Sequence, residues 1–242
     1  MIYNLKYSRY NESSILIEWK AIIDENILQD VLRFKFLIEN NNIKQKVEVI
    51  STYNSLLIVY DYAIDSFNSK IFTLKSLYLQ QNESESTKPS HWKIPVCYAD
   101  QFAIDLENFS NQKKLSKSEI TKLHSDTIYT VFFIGFLPGF LYLGGLDSRL
   151  FLDRKTTPNL NVKKGSVAIG GQQTGIYPQD SPGGWHIIGN SPIELFNTNS
   201  NPPCFIKAGD KIQFQSISVS EHNTITRSLE NSLFNLKSLK CD

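Results

Sequence analysis

Residues 128–146 read IYTVFFIGFLPGFLYLGGL, a run without a charge, and what this run can become constrains everything around it. Its length approaches the ~20 apolar residues that a membrane-spanning helix needs. Pro138 beside Gly139, with Gly135, Gly144 and Gly145 around them, would break such a helix and leave backbone polar groups unpaired in lipid. The run reads instead as a buried strand over 129–134 that enters a tight apolar loop.

Downstream of that strand the pattern is short strands divided by Gly, Pro, Asn and Ser without a long amphipathic period, which points to a closed or nearly closed β-barrel. Upstream, 94–98 reads as a strand, and Ser116 with Glu119 has the spacing of a capping box opening a helix through Leu123. The first third differs. There 15–19 is a strand and 24–39 a helix with Ile27, Leu28, Val31 and Leu32 on one face and Asp24 as its N-cap. Strands at 47–50 and 56–60 and a second helix over 64–79 complete an order that suggests a ferredoxin-like α+β domain. Between the halves, QQNESESTKPS at 80–90 has the composition of an exposed linker. The expected organisation is α+β: 1–82 ferredoxin-like, 83–92 linker, 93–242 barrel. The tail 223–242 shows a weak helical period in Ile225, Leu229, Leu233 and Leu236 and is expected to pack on the barrel or on a partner.

With 25 basic and 24 acidic residues and a net charge of +1, no overall field draws the chain to nucleic acid or to an anionic membrane. Neither is expected as a partner. Cys97, Cys204 and Cys241 form no CxxC pair and the first residues carry no charged-then-apolar leader, so a reduced, cytoplasmic setting is expected. His91, His124, His186 and His222 make no HxxxH or HExxH pair, and no metal site is expected.

Most of the 12 glycines lie in two stretches, 135–145 and 165–185. Such loops can bring backbone amides close to an anion or a carbonyl, yet small barrels also need glycines at turns and bulges; composition does not separate the two. After Gly165 and Gly170 come Gly171 and Gln172 rather than a Lys followed by Ser or Thr, so this is not a P-loop. There is no GxSxG elbow, and Ser166 and Ser181 read as turn hydroxyls. The candidates for chemistry are Gln173, Thr174, Tyr177 and Asp180; the polar ones can bond an amide or carboxylate, and Asp180 could act as a general base or simply form a turn. Candidates for contact with a small-molecule substrate are Phe136, Pro138, Gly139, Phe140, Tyr142, Gly170, Gly171, Gln172, Gln173, Tyr177, Ser181, Gly183, Gly184 and Trp185. For Tyr142 and Trp185, core filling is the competing role.

The blocks GFLPGFLYL at 135–143, GSVAI at 165–169, QTGIYP at 173–178, SPGGW at 181–185 and IGNSP at 188–192, in this order, resemble the family of the 5-oxoprolinase B subunit. That family includes proteins described as allophanate hydrolase subunit 1, a sporulation histidine-kinase inhibitor and half of the carboxyltransferase region of urea carboxylase. The resemblance implies a ferredoxin-like domain joined to a cyclophilin-like β-barrel. It implies work with 5-oxoprolinase subunits C and A to open the lactam of 5-oxoproline to glutamate, with ATP and magnesium used in the assembled complex and the active site shared with the first of these two partners. Phosphorylating the lactam oxygen makes it a leaving group, so such a site needs positioning and charge stabilisation rather than a nucleophile. The alternatives it implies are a histidine-kinase inhibitor acting through 136–142, or a carboxyltransferase half working with biotin. Where members commonly carry Thr-Pro-Arg and Gly-Arg-Thr-Pro, this chain has Asn159 and Asn190. Neutral Asn offers no charge-assisted contact, so either the ligand differs or a partner supplies the charge.

Overall fold

The computed structural model describes residues 2–41, 47–80 and 88–241. Two compact units divide between Lys88 and Pro89. Residues 83–87 of the expected linker lie outside the described residues, and a strand already begins at His91.

In the first unit, β1 (Lys6–Asn11) and β2 (Ser14–Glu18) are followed by α1 (Glu25–Asn40), β3 (Val47–Ser51), β4 (Ser55–Tyr60) and α2 (Phe67–Tyr78). The sheet is antiparallel throughout, in the order β1-β2-β4-β3. Period-2 alternation buries Ile15 and Ile17 of β2 and Leu56, Ile58 and Tyr60 of β4 against Ile27, Val31, Phe34 and Ile38 of α1. The α1 start is local: the Asp24 carboxylate accepts hydrogen bonds from the backbone N–H of Asn26 and Ile27. By contrast α2 begins later than its apolar pattern suggests. Ser66 caps it through the Ser69 N–H, while Ile64 sits in the core with its N–H bound to the Glu12 carbonyl. Strand β1 escapes sequence reading because it is an edge with no buried residue, held by its ladder to β2.

One buried acid ties this unit together. Asp30 accepts from Trp19 Nε1 (2.8 Å), from the Tyr78 hydroxyl, and from Arg33 Nε (3.0 Å) and Nη2 (2.8 Å). Asp30→Ala would leave the Arg33 charge and two buried donors unpaired, and is expected to destabilise the unit by about 3–5 kcal/mol. Urea unfolding followed by Trp19 fluorescence measures this; a loss below about 1 kcal/mol would refute the network's role.

The second unit runs β5 (His91–Val96), α3 (Leu106–Lys113), α4 (Lys117–Asp126), β6 (Ile128–Ile134), β7 (Leu141–Gly144), β8 (Asn159–Val162), β9 (Ser166–Gly170), β10 (Gln173–Ile176), β11 (Ser181–Gly183), β12 (His186–Asn190), β13 (Lys211–Ser216), α5 (Val219–Glu230) and β14 (Lys240–Cys241). Eight strands form one sheet in the order β12-β9-β10-β7-β6-β13-β5-β14, and β11 pairs with β8 separately. Only the β13–β5 pair of that sheet is parallel. Among the described residues no continuous ladder closes the sheet into a barrel. A single bridge links Cys97, just past β5, to Asn190 of β12 through two backbone hydrogen bonds of 2.8 and 2.9 Å.

The uncharged run becomes β6, a loop and β7, and no helix among the described residues is long and apolar enough to cross a membrane. β9 is buried along its whole length. Its Val167 and Ile169 join the main core with Tyr129, Val131, Leu141, Leu143 and Ile188, while Ala168 faces a second, smaller cluster. The capping box at Ser116 and Glu119 forms as expected. A second one, Ser218 with Glu221, starts α5 at Val219, and Asn231 caps it. The helix expected over 223–242 thus begins and ends earlier; Leu233 lies beyond it, exposed, and Leu236 belongs to a 3-10 turn.

Candidate functional site

Three blocks separated in sequence converge on the outer face of β9, β10 and β7. Gly135 N–H bonds the Phe140 carbonyl (3.2 Å) and Phe140 N–H the Leu137 carbonyl (3.0 Å), folding 135–140 into a tight turn. Phe136 projects from it, 62% exposed, with φ +69°; Pro138 is exposed and Gly139 buried. Phe140 turns inward instead, meeting Tyr177 edge-on at 5.0 Å, Trp185 at 5.5 Å and Tyr142 at 4.7 Å, and Tyr142 meets Trp185 at 5.7 Å. This is the second cluster. Phe140, Tyr177 and Trp185 fill it, whereas Tyr142 is half-buried.

Two glycines are explained by that packing. A Cβ on Gly170 would stand 2.5 Å from the Trp185 ring, and one on Gly183 2.2 Å from the Tyr177 hydroxyl oxygen. The backbone is laid directly on the rings, which only glycine allows. Gly171, Gly184 and Ser181 are half-buried beside them and Gln172 is exposed. Burial raises the Tyr177 hydroxyl above its usual range, partly offset by a hydrogen bond from the Trp185 backbone. Tyr142 is likewise raised by burial and lowered in part by the charge of Arg154. Both stay neutral at physiological pH.

The four candidates for chemistry part company. Thr174, fully buried, points away from this face into the main core. Its hydroxyl donates to the Ala168 carbonyl (3.0 Å) and so accepts from His124 Nε2 (2.8 Å); His124 Nδ1 then accepts from the Tyr98 hydroxyl (2.7 Å). Burial pushes the His124 pKa down to about 3. Gln173, one residue earlier on β10, is half-buried, and strand alternation sends its side chain to the opposite face from that of Thr174. Asp180 is exposed, bonded to Lys163 Nζ (2.9 Å) and to the Lys164 N–H (2.7 Å), and those hydrogen bonds hold its carboxyl below the usual range. An anchored, acid-shifted carboxylate of this kind is a weak proton acceptor.

Sequence reading missed Arg154. Its guanidinium carbon lies 5.6 Å from the centre of the Trp185 ring. The only signal was the charged triplet Asp153-Arg154-Lys155 between the two glycine-rich stretches. Also missed was a cavity of about 480 Å³ between 97–99, one face of α4 (Ser118, Thr121, Lys122, Ser125) and 216–219. It shares no residue with the glycine-rich face, and the converging motif blocks carry the functional argument better than its volume does. Among the described residues no group of three or more His, Cys, Asp or Glu could hold a metal ion.

The family described as "Carboxyltransferase domain, subdomain C and D" matches residues 5–206. The chain is 31% identical to the B subunit of 5-oxoprolinase from Bacillus subtilis over 233 residues, 92% of this chain and 97% of that one. It is 40% identical to the B subunit of 5-oxoprolinase from Haemophilus influenzae over 168 residues, 69% of this chain and 78% of the other. The crystal structure of Kluyveromyces lactis urea carboxylase superposes with a TM-score of 0.79 at 18% identity, covering 96% of this chain and 23% of that chain, a likeness of fold. The match over most of its length, together with motif blocks that fold onto one face, makes this chain a member of the carboxyltransferase subdomain C and D family, alongside the B subunits of 5-oxoprolinase.

Proposed function

We propose that this chain is the B-type subunit of an ATP-dependent 5-oxoprolinase, acting in the cytoplasm with subunits C and A to open 5-oxo-L-proline to L-glutamate. The convergence of 135–142, 173–178 and 181–185 on a single face carries the reading. A rigid aromatic base under glycine-rich turns suits an apolar lactam ring, and Gln172 and Gln173 at its rim can bond the ring amide. On this reading Phe136, Pro138, Tyr142, Gly171, Gly184 and Ser181 are the accessible contacts, while Phe140, Tyr177 and Trp185 support them from beneath. On this reading ATP and magnesium act in the assembled complex. Its share is to bind and orient the lactam.

The fold assignment follows the same reading. The order β1-β2-β4-β3 with two helices fits a ferredoxin-like sheet whose outer strand comes from the N-terminus. The eight-stranded sheet with its Cys97–Asn190 bridge fits a cyclophilin-like barrel. Co-expression with subunits C and A is expected to yield ATP-dependent glutamate release from 5-oxoproline; a demonstrably assembled complex without turnover would refute the proposal. A second reading, inhibition of a histidine kinase, has one observation in its favour, the exposed Phe136 held at positive φ. Phe136→Ala should then abolish kinase inhibition, and unchanged autophosphorylation at saturating protein counts against it.

A further inference from the structure

Asn159 and Asn190 are neutral, so neither supplies a positive charge to a ligand. Asn190 is engaged at both ends of its amide and Asn159 at its oxygen. Asn190 Nδ2 donates to the Lys164 carbonyl (2.9 Å) and its Oδ1 accepts from His222 Nε2 (2.9 Å); Asn159 Oδ1 accepts from the Asn161 N–H (2.9 Å). Among the described residues, Arg154 brings a positive charge to the glycine-rich face.

Its main chain is held between the two glycine-rich turns. Leu152 and Gly171 exchange two backbone hydrogen bonds of 2.7 and 3.1 Å, and Lys155 N–H donates to the Gly184 carbonyl at 2.7 Å. Two side chains fix the same segment: His186 Nε2 donates to the Asp153 carbonyl (2.8 Å), and Lys155 Nζ pairs with Asp105 (2.6 Å). Of the basic groups near it in sequence, Arg149 pairs with Asp147, Lys155 with Asp105, Lys163 with Asp180 and Lys164 with Glu194. Arg154 has no such partner among the described residues, is exposed, and lies over the Trp185 ring. A guanidinium carries a planar fork of N–H groups that matches a carboxylate, and at an exposed position beside an aromatic ring it can present that fork to a ligand.

We propose that Arg154 binds the carboxylate of the lactam substrate, supplying from this chain the charge that Asn159 and Asn190 do not. The inference rests on the 5-oxoprolinase reading for the identity of the ligand, and selects within it for lactams that bear an acid group. In the assembled complex, Arg154→Gln is expected to raise KM for 5-oxoproline by about 10- to 100-fold, the loss of a charge-assisted bidentate contact, with kcat changed little. Turnover of the uncharged 2-pyrrolidinone should be the same in both proteins. Arg154→Lys, which keeps the charge and loses the fork, should fall between. An unchanged KM in Arg154→Gln overturns the proposal. If the wild-type complex turns over no lactam, the functional reading falls, and direct titration of the full chain with 5-oxoproline and 2-pyrrolidinone, followed by tryptophan fluorescence, decides Arg154 on its own. A preference of the wild-type chain for the carboxylate-bearing compound that Arg154→Gln loses supports it; no preference, or one the variant retains, overturns it. Unaltered thermal melting of the variant excludes misfolding as the cause.

Discussion

Gly165→Ala is expected to destabilise the unit 89–242 by about 3 kcal/mol or more. Gly165 has φ +81°, and an added Cβ would stand 2.2 Å from the Ser191 carbonyl oxygen. That oxygen is backbone and cannot rotate away. The residue also joins two segments, its N–H donating to the Tyr177 carbonyl (2.7 Å) and its carbonyl accepting from the Ser191 N–H (2.8 Å), so relief of the clash would break both bonds. Gly171→Ala is the control: φ is +66° but nothing lies within 4 Å of its Cβ position, so only the left-handed backbone penalty of about 1–2 kcal/mol applies. Denaturant unfolding of both variants, read by Trp185 fluorescence and circular dichroism, tests the contrast. Equal costs in the two would show that steric contact with Ser191 does not matter.

Acidification should weaken the same unit well before its carboxylates titrate, because of His124. The folded state holds this imidazole neutral, with a pKa of about 3 caused by burial, whereas the unfolded chain protonates it near its ordinary value of about 6.5. Between these limits the unfolded state binds a proton that the folded state refuses. Stability from this group is therefore intact above about pH 6.5 and falls as the pH drops, by up to about 1.4 kcal/mol per pH unit. His222, also lowered by burial, adds a contribution of the same sign. His124→Gln is expected to flatten the decline between about pH 6.5 and 5, at a cost near neutrality of about 1–3 kcal/mol from disturbing the Tyr98 and Thr174 hydroxyls. Parallel pH curves for wild type and variant would remove His124 as the source.

Features set by neighbouring residues were legible in the sequence. The Asp24 cap and the Ser116–Glu119 box each depend on residues within one helical turn, and the Pro-Gly pair inside an uncharged run excludes a helix by itself. Local rules failed where a partner distant in sequence decides the outcome. β1 exists because β2 offers it a ladder, although it buries nothing, and Ile64 has an apolar side chain that looked helical but belongs to the core before α2 starts.

The ordered glycine-rich blocks determined by themselves the family to which this chain belongs and the region where a ligand would be sought. Only the tertiary structure separated Thr174 from Gln173, because alternation along β10 assigns them opposite faces and the packing of β9 and α4 decides which face holds His124. It alone brought Arg154 to Trp185, since the two are joined by pairings of Leu152 with Gly171 and Lys155 with Gly184. Those contacts are non-local backbone hydrogen bonds, and no periodicity in the chain records them.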